Sequence, residues 1–182
     1  MTPSEQPPQP ENLPVSVSAG LPTPEGPPIP VPEGFATPET LQAPEGLPKA
    51  EFAFPGPLRD QLVAAILDGS KTSTTGLVVD YEHAGEDLPE VGSRSVVVDS
   101  EDRPVGIIEV TGVRVVPLAE VDLAHALHEG EGYADVAAWR AGHERFWHSA
   151  EMRAVLEDPG FSVDDATEAV LERFRLVADL RP

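Results

Sequence analysis

Between residues 57 and 69 the chain reads PLRDQLVAAILDG, with its apolar positions at helical spacing. Leu58, Leu62, Val63, Ile66 and Leu67 form one stripe, with Pro57 near the start and Gly69 as the stop. The pattern then changes period. KTSTTGLVV, from Lys71, is β-branched and predicts a strand, whereas DYEHAGEDLPEVGS reads as a polar loop punctuated by Gly85, Pro89 and Gly92. RSVVVD and PVGIIEVTGVRVV predict two strands joined by the turn SEDR. PLAEVDLAHALHEGEG predicts a short helix ending in a glycine-rich acidic loop. DVAAWRAGHERFWHSAEMRAVLE predicts a longer helix, and AVLERFRLV a closing strand. Strands and helices do not alternate strictly. The expected class is therefore α+β, a small mixed sheet or barrel with helices packed outside.

The first 49 residues follow another rule. Fourteen of the 21 prolines lie within positions 1–48, and the phrases LPTPEG, IPVPEG and LQAPEG recur loosely. Proline removes backbone donors and fixes φ, so neither helix nor sheet propagates there. Residues 1–49 are expected to be a disordered, semi-extended Pro-rich tail, and residues 50–182 one folded domain. P-x-x-P spacings at 7–10, 24–27 and 27–30 suit an aromatic groove on a protein partner, but no arginine flanks them. A plain acidic tether is the simpler reading.

The formal net charge is −20. Six glutamates and Lys49 give the tail −5, which leaves −15 for the folded part. Such a surface repels nucleic acid at long range, so any RNA contact must rest on a local basic site. The start, MTPSEQPPQP, has neither the basic nor the apolar region of a secretory signal, and no stretch has the length of a membrane span. The absence of cysteine excludes disulfides and thiolate metal sites and fits a cytoplasmic protein.

Several motifs fail on inspection. DGSKT lacks the glycines of a phosphate-binding loop, because Ala65 and Ser70 stand in their places. In GHERFWH the histidines are five apart, so they do not share a helical face as a zinc pair must. His143 does share one with Trp139, Phe146 and Trp147, which makes it a core or cleft-wall residue. His125 and His128 are expected on an exposed helix face.

Lys71 is the only lysine after residue 49 in a chain that otherwise uses arginine. Lysine can lose its proton where arginine cannot, which makes Lys71 a candidate base beside the threonines that follow it. An exposed lysine at the edge of a strand is the plainer alternative.

Taken in order, GSKTSTTGL, IEVT at 108–111, EGEG at 129–132 and WRxxH at 139–143 resemble the ASCH domain family over roughly residues 51–178. The resemblance implies a PUA-like β-barrel with a cleft for RNA or a modified nucleoside. It also carries a catalytic trio onto Lys71, Thr74 and Glu131. Family members include ribonuclease-like proteins, to whose branch the WRxxH helix is similar, and amidohydrolases that deacylate N4-acetylcytidine. The expected function is thus binding and hydrolysis of RNA or a nucleotide fragment. Deacylation of a modified nucleoside and non-catalytic RNA binding are the alternatives. Ser73, Tyr81, Glu109, Arg140 and His143 are the candidate substrate-binding residues, with the Tyr81 ring a stacking surface for a base. No metal ligands are assigned, and a divalent ion stays open as a cofactor.

Overall fold

The computed structural model describes residues 46–181. Most of the expected tail, with its P-x-x-P motifs, lies outside these residues. Its last residues do not. Lys49–Ala50 form strand β1, which pairs in parallel with Val96 and Val97 of a later strand, and the Val96 N–H donates to the Pro48 carbonyl at 2.8 Å. The fold therefore begins ahead of the boundary expected at residue 50.

Helix α1, Pro57–Asp68, stops at Gly69, whose φ of +83° suits a residue without a Cβ. It buries Leu62, Val63 and Ile66 as the stripe predicts, but Leu58 is 45 % exposed and Arg59 is buried in its stead. Arg59 can lie there because Nε and Nη2 donate to the Ala53 carbonyl, at 3.0 and 2.6 Å, and Nη1 pairs with Glu51 at 3.0 Å.

Strand β2, Ser73–Leu77, leads into helix α2, Val78–Ala84, where the sequence predicts continued strand and then loop. Two contacts, one a local cap and one tertiary, override the β-branched valines. The Asp80 carboxylate accepts from the Leu77 N–H at 3.2 Å and closes the first turn. The Tyr81 hydroxyl donates to Glu172 at 3.0 Å and holds the helix on the sheet.

Strand β3, Arg94–Val98, turns into the long β4, Pro104–Pro117. A short 3₁₀ turn, Leu118–Glu120, precedes α3, Leu123–His128. The expected long helix is two, α4 at Val136–Trp147 and α5 at Ala150–Val155. Ser149 divides them by accepting from the Met152 N–H as a new N-cap. Strand β5, Glu168–Asp179, completes the fold.

The sheet order is β1-β3-β4-β5-β2, antiparallel except for β1 against β3. Its outer strands, β1 and β2, are not paired with each other, so this is a mixed five-stranded sheet rather than a hydrogen-bonded closed barrel. Irregular register at Val97/Val98, Ile107/Ile108 and Val110/Gly112 lets the long strands bend.

Each face carries a core. Beneath α1, Phe52, Leu62, Val63 and Ile66 pack on Val97, Ile108 and Phe174. On the opposite face Leu77, Ala169 and Leu171 meet Leu118, Val121, Ala126, Trp139 and Trp147. Each fully buried large side chain contributes about 1.5–3 kcal/mol, so the two cores fix the sheet between its helices. No helix of the described residues is long and apolar enough to cross a membrane.

Candidate functional site

Lys71 lies where α1 hands over to β2, its N–H bonded to the Ala65 carbonyl at 2.9 Å. Side chains alternate along a strand, so Ser73, Thr75 and Leu77 share one face, and the Lys71 side chain joins the same contacts. Ser73 Oγ donates to the His125 carbonyl at 3.1 Å. Thr75 Oγ1 donates to Glu129 Oε1 at 2.6 Å and lies 2.9 Å from His125 Nε2. Lys71 Nζ donates to Glu131 Oε1 at 2.9 Å and to the Glu129 carbonyl at 3.3 Å, with Glu129 Oε2 at 3.9 Å.

Three elements build this cluster. Helix α3 places His125 and Glu129 one turn apart, and the Thr72 N–H clips its end to β2 by donating to the His128 carbonyl at 2.8 Å. Gly130 then passes so close that a Cβ would lie 2.4 Å from the Ser70 carbonyl oxygen, and its φ is +67°. Only glycine fits there. Helix α4 supplies His143, stacked 4.4 Å from Trp139 and bonded through Nδ1 to the Trp139 carbonyl at 3.1 Å. Its Nε2 stands 3.0 Å from Glu129 Oε2.

Glu129 is fully buried. Burial opposes its charge, but the contacts with His125 and His143 and the positive charge of Lys71 outweigh this and hold the carboxyl far below its ordinary value of 4.5. Oε2 has no aligned hydrogen bond and stands 3.9 Å from Lys71 Nζ and 3.0 Å from His143 Nε2.

Glu129, Glu131 and His143 also offer ligand atoms within 4.8 Å of one another, as a divalent metal would require. Lys71 Nζ already sets a cation between the two carboxylates, and a metal ion would have to displace it. The donor set suits its own lysine better than an ion.

Of the residues expected at the site, Lys71, Ser73, Glu131 and His143 come together. Thr74 does not. It pairs with Glu172 across β5 on the other face of the sheet, beside Gly76 and the Tyr81 ring. The Lys71–Thr74 pairing is thereby corrected, and the neighbouring hydroxyl, Thr75, is the one that meets the charged cluster.

Tyr81 packs its ring on Gly76, where a Cβ would lie 3.2 Å from it. Burial, and then the Glu172 carboxylate, push the Tyr81 hydroxyl well above its ordinary pKa of 10. This is a packed ring rather than an open stacking surface. Glu109 sits under Arg94 and Arg175, whose hydrogen bonds hold its carboxyl below its ordinary value. Arg140 is engaged by Glu144 at 2.6 Å and Asp165 at 3.5 Å.

Sequence reasoning missed Glu129, Thr75 and His125, the last of which is buried rather than exposed. The H-x-x-x-E spacing of His125 and Glu129 was the available signal. Lys71 itself is 2 % exposed, so the expected cleft does not open directly onto its side chain. Two surface hollows, of about 160 and 480 Å³, are lined by other residues, and access to the cluster is at Glu131 and His143.

The fold that holds this cluster is shared with known proteins. The model of the ASCH domain matches residues 51–178. A crystal structure of an ASCH domain from Lactobacillus crispatus JV V101 superposes with a TM-score of 0.63 at 29 % identity, covering 72 % of this chain and 80 % of that one. A protein from Enterococcus faecalis V583 also gives a TM-score of 0.63, at 24 % identity, covering 71 % and 76 % of the two chains. No curated protein matches. The match over most of the chain, with the same fold in the crispatus domain, makes this chain a member of the ASCH domain family.

Proposed function

We propose that the protein binds RNA or a nucleotide fragment at the Lys71 cluster and hydrolyses it. The observation that carries this reading is the 2.9 Å pair of Lys71 Nζ and Glu131 Oε1. Lys71 is 2 % exposed, while the Glu131 side chain keeps 14 % of its surface open to an arriving ligand. Glu131 takes the proton of the attacking water and returns it to the leaving group. Lys71 holds Glu131 in place and turns a donor towards the oxygen on which negative charge develops. Thr75 and His125 fix Glu129, and Glu129 in turn fixes Lys71 through its carbonyl and its charge.

A second reading, deacylation of an N4-acetylcytidine-type nucleoside, is favoured by the burial of Lys71. A small acyl group reaches a buried amine more readily than a phosphodiester within a strand does. One experiment separates the two. The protein is incubated with a single-stranded RNA and with N4-acetylcytidine, with and without a divalent metal, and products are resolved by chromatography. Turnover of RNA that drops about 10²–10⁴-fold in Glu131→Gln supports the first reading. Turnover of the nucleoside alone supports the second. Turnover of neither, or a fully active Glu131→Gln, overturns both.

A further inference from the structure

The face of the sheet that carries Ser73 and Thr75 continues across β5 to β4 and β3, and there it bears arginine. Ser73 is opposite Arg173. Two residues along β5 is Arg175, opposite Glu109, and Glu109 is in turn opposite Arg94. Directly opposed residues of antiparallel strands share a face, so Arg173, Arg175 and Arg94 form a row beginning beside the Lys71 cluster.

The row has a charge surplus. Glu109 is shared, 2.6 Å from Arg175 and 2.7 Å from Arg94. Arg173 Nη2 meets the His128 imidazole at 3.0 Å and has no carboxylate partner among the described residues. Three guanidiniums thus face one carboxylate, on a chain of net charge −20. Arg103 and Arg114 lack this surplus, since Arg103 is met by Asp99 and Glu101, and Arg114 by Asp122. The side chains of Arg94 and Arg175 are 53 % and 64 % exposed, so their unused donors face solvent.

We infer that this arginine row binds the sugar-phosphate backbone of a single-stranded nucleic acid and leads it to the Lys71 cluster. The inference rests on the function proposed above. Planar guanidiniums fork onto phosphate oxygens, and neighbours on one strand recur about every 6.8 Å, a ladder suited to successive phosphates of an extended chain. The row offers three contacts at most, too few for a broad duplex footprint. Glu109 keeps the row closed by occupying two of its guanidiniums, and phosphate must compete with it.

The test is fluorescence anisotropy of the full chain with labelled 12-mers of oligouridylate and oligodeoxythymidylate over a range of salt. Three phosphate contacts give a slope of log K on log salt of about −2, and each of Arg94→Gln, Arg173→Gln and Arg175→Gln reduces its magnitude by about 0.7. Glu109→Gln binds more tightly than the parent, a gain that misfolding cannot imitate. Preference for the uridylate identifies RNA as the ligand, and equal binding identifies any single strand. Failure to bind either 12-mer while a short RNA is still hydrolysed overturns the row and leaves the proposed function standing. So does binding that the arginine variants leave unchanged, or arginine-dependent capture of polyglutamate without oligonucleotide. Arginine-dependent binding without any turnover keeps the row and overturns the hydrolysis.

Discussion

Glu129 is a charge with no route to water, and its surroundings exist to keep it ionised. Glu129→Gln keeps the shape but leaves Lys71 and His143 facing a neutral amide. Breaking a buried pair in this way costs about 3–5 kcal/mol, measurable by urea unfolding at neutral pH. The folded-state pKa is lowered from 4.5, so the contribution is present above that value and is lost as the pH falls below it. Variant and parent should converge in stability in strong acid. The two threonines give a sharper contrast. Thr75→Val deletes a 2.6 Å bond to a buried carboxylate and should cost about 1.5–3 kcal/mol, whereas Thr74→Val, on the other face, should cost under about 0.5 kcal/mol. Equal unfolding midpoints for the two variants would refute the assignment of faces. This is also where the sequence was least legible. S-T-T alternates whichever residue begins the strand, and its phase is set by Ser73 reaching the His125 carbonyl, a contact 52 residues away.

At the scale of elements, legibility followed the source of stability. The stripe of Leu62, Val63 and Ile66 declares α1, and the β-branched runs declare β3 and β4, because local pattern and burial agree there. Helix α2 was hidden because its valines favour a strand and its hold on the sheet comes from Tyr81 reaching Glu172, 91 positions on. In the sequence the loop after α3 is only glycine-rich and acidic, and the approach of Gly130 to Ser70 reveals that it is packed. Gly130→Ala should therefore lower stability by roughly 2–3 kcal/mol, through both the positive φ and the clash with backbone. It should also abolish the hydrolysis proposed above, since Glu129 and Glu131 flank it. A variant that retains full stability and activity would show the loop to be slack.

For the whole molecule, the change from proline-rich to patterned sequence suggests a boundary near residue 50 but gives no sign of strand β1. Two residues are too few to show a period, and β1 is defined only by its pairing with Val96 and Val97. Removing residues 1–45 should leave the melting temperature within about 2 °C of the parent. Removing residues 1–50 deletes β1, the Pro48 carbonyl bond and the Lys49–Asp102 pair, and should lower it by several degrees. Identical melting curves for the two truncations would show that β1 contributes nothing.

The two lysines of this chain also differ as reagents would meet them. The Lys49 side chain is 55 % exposed, whereas Lys71 is sealed beneath Glu131. An amine-directed acylating dye would couple at Lys49 and at the α-amine first, and at Lys71 only as the site opens. Lys49 is thus a conjugation handle at the sheet edge, and delayed labelling of Lys71, followed by mass spectrometry, becomes a clock for the opening of the site.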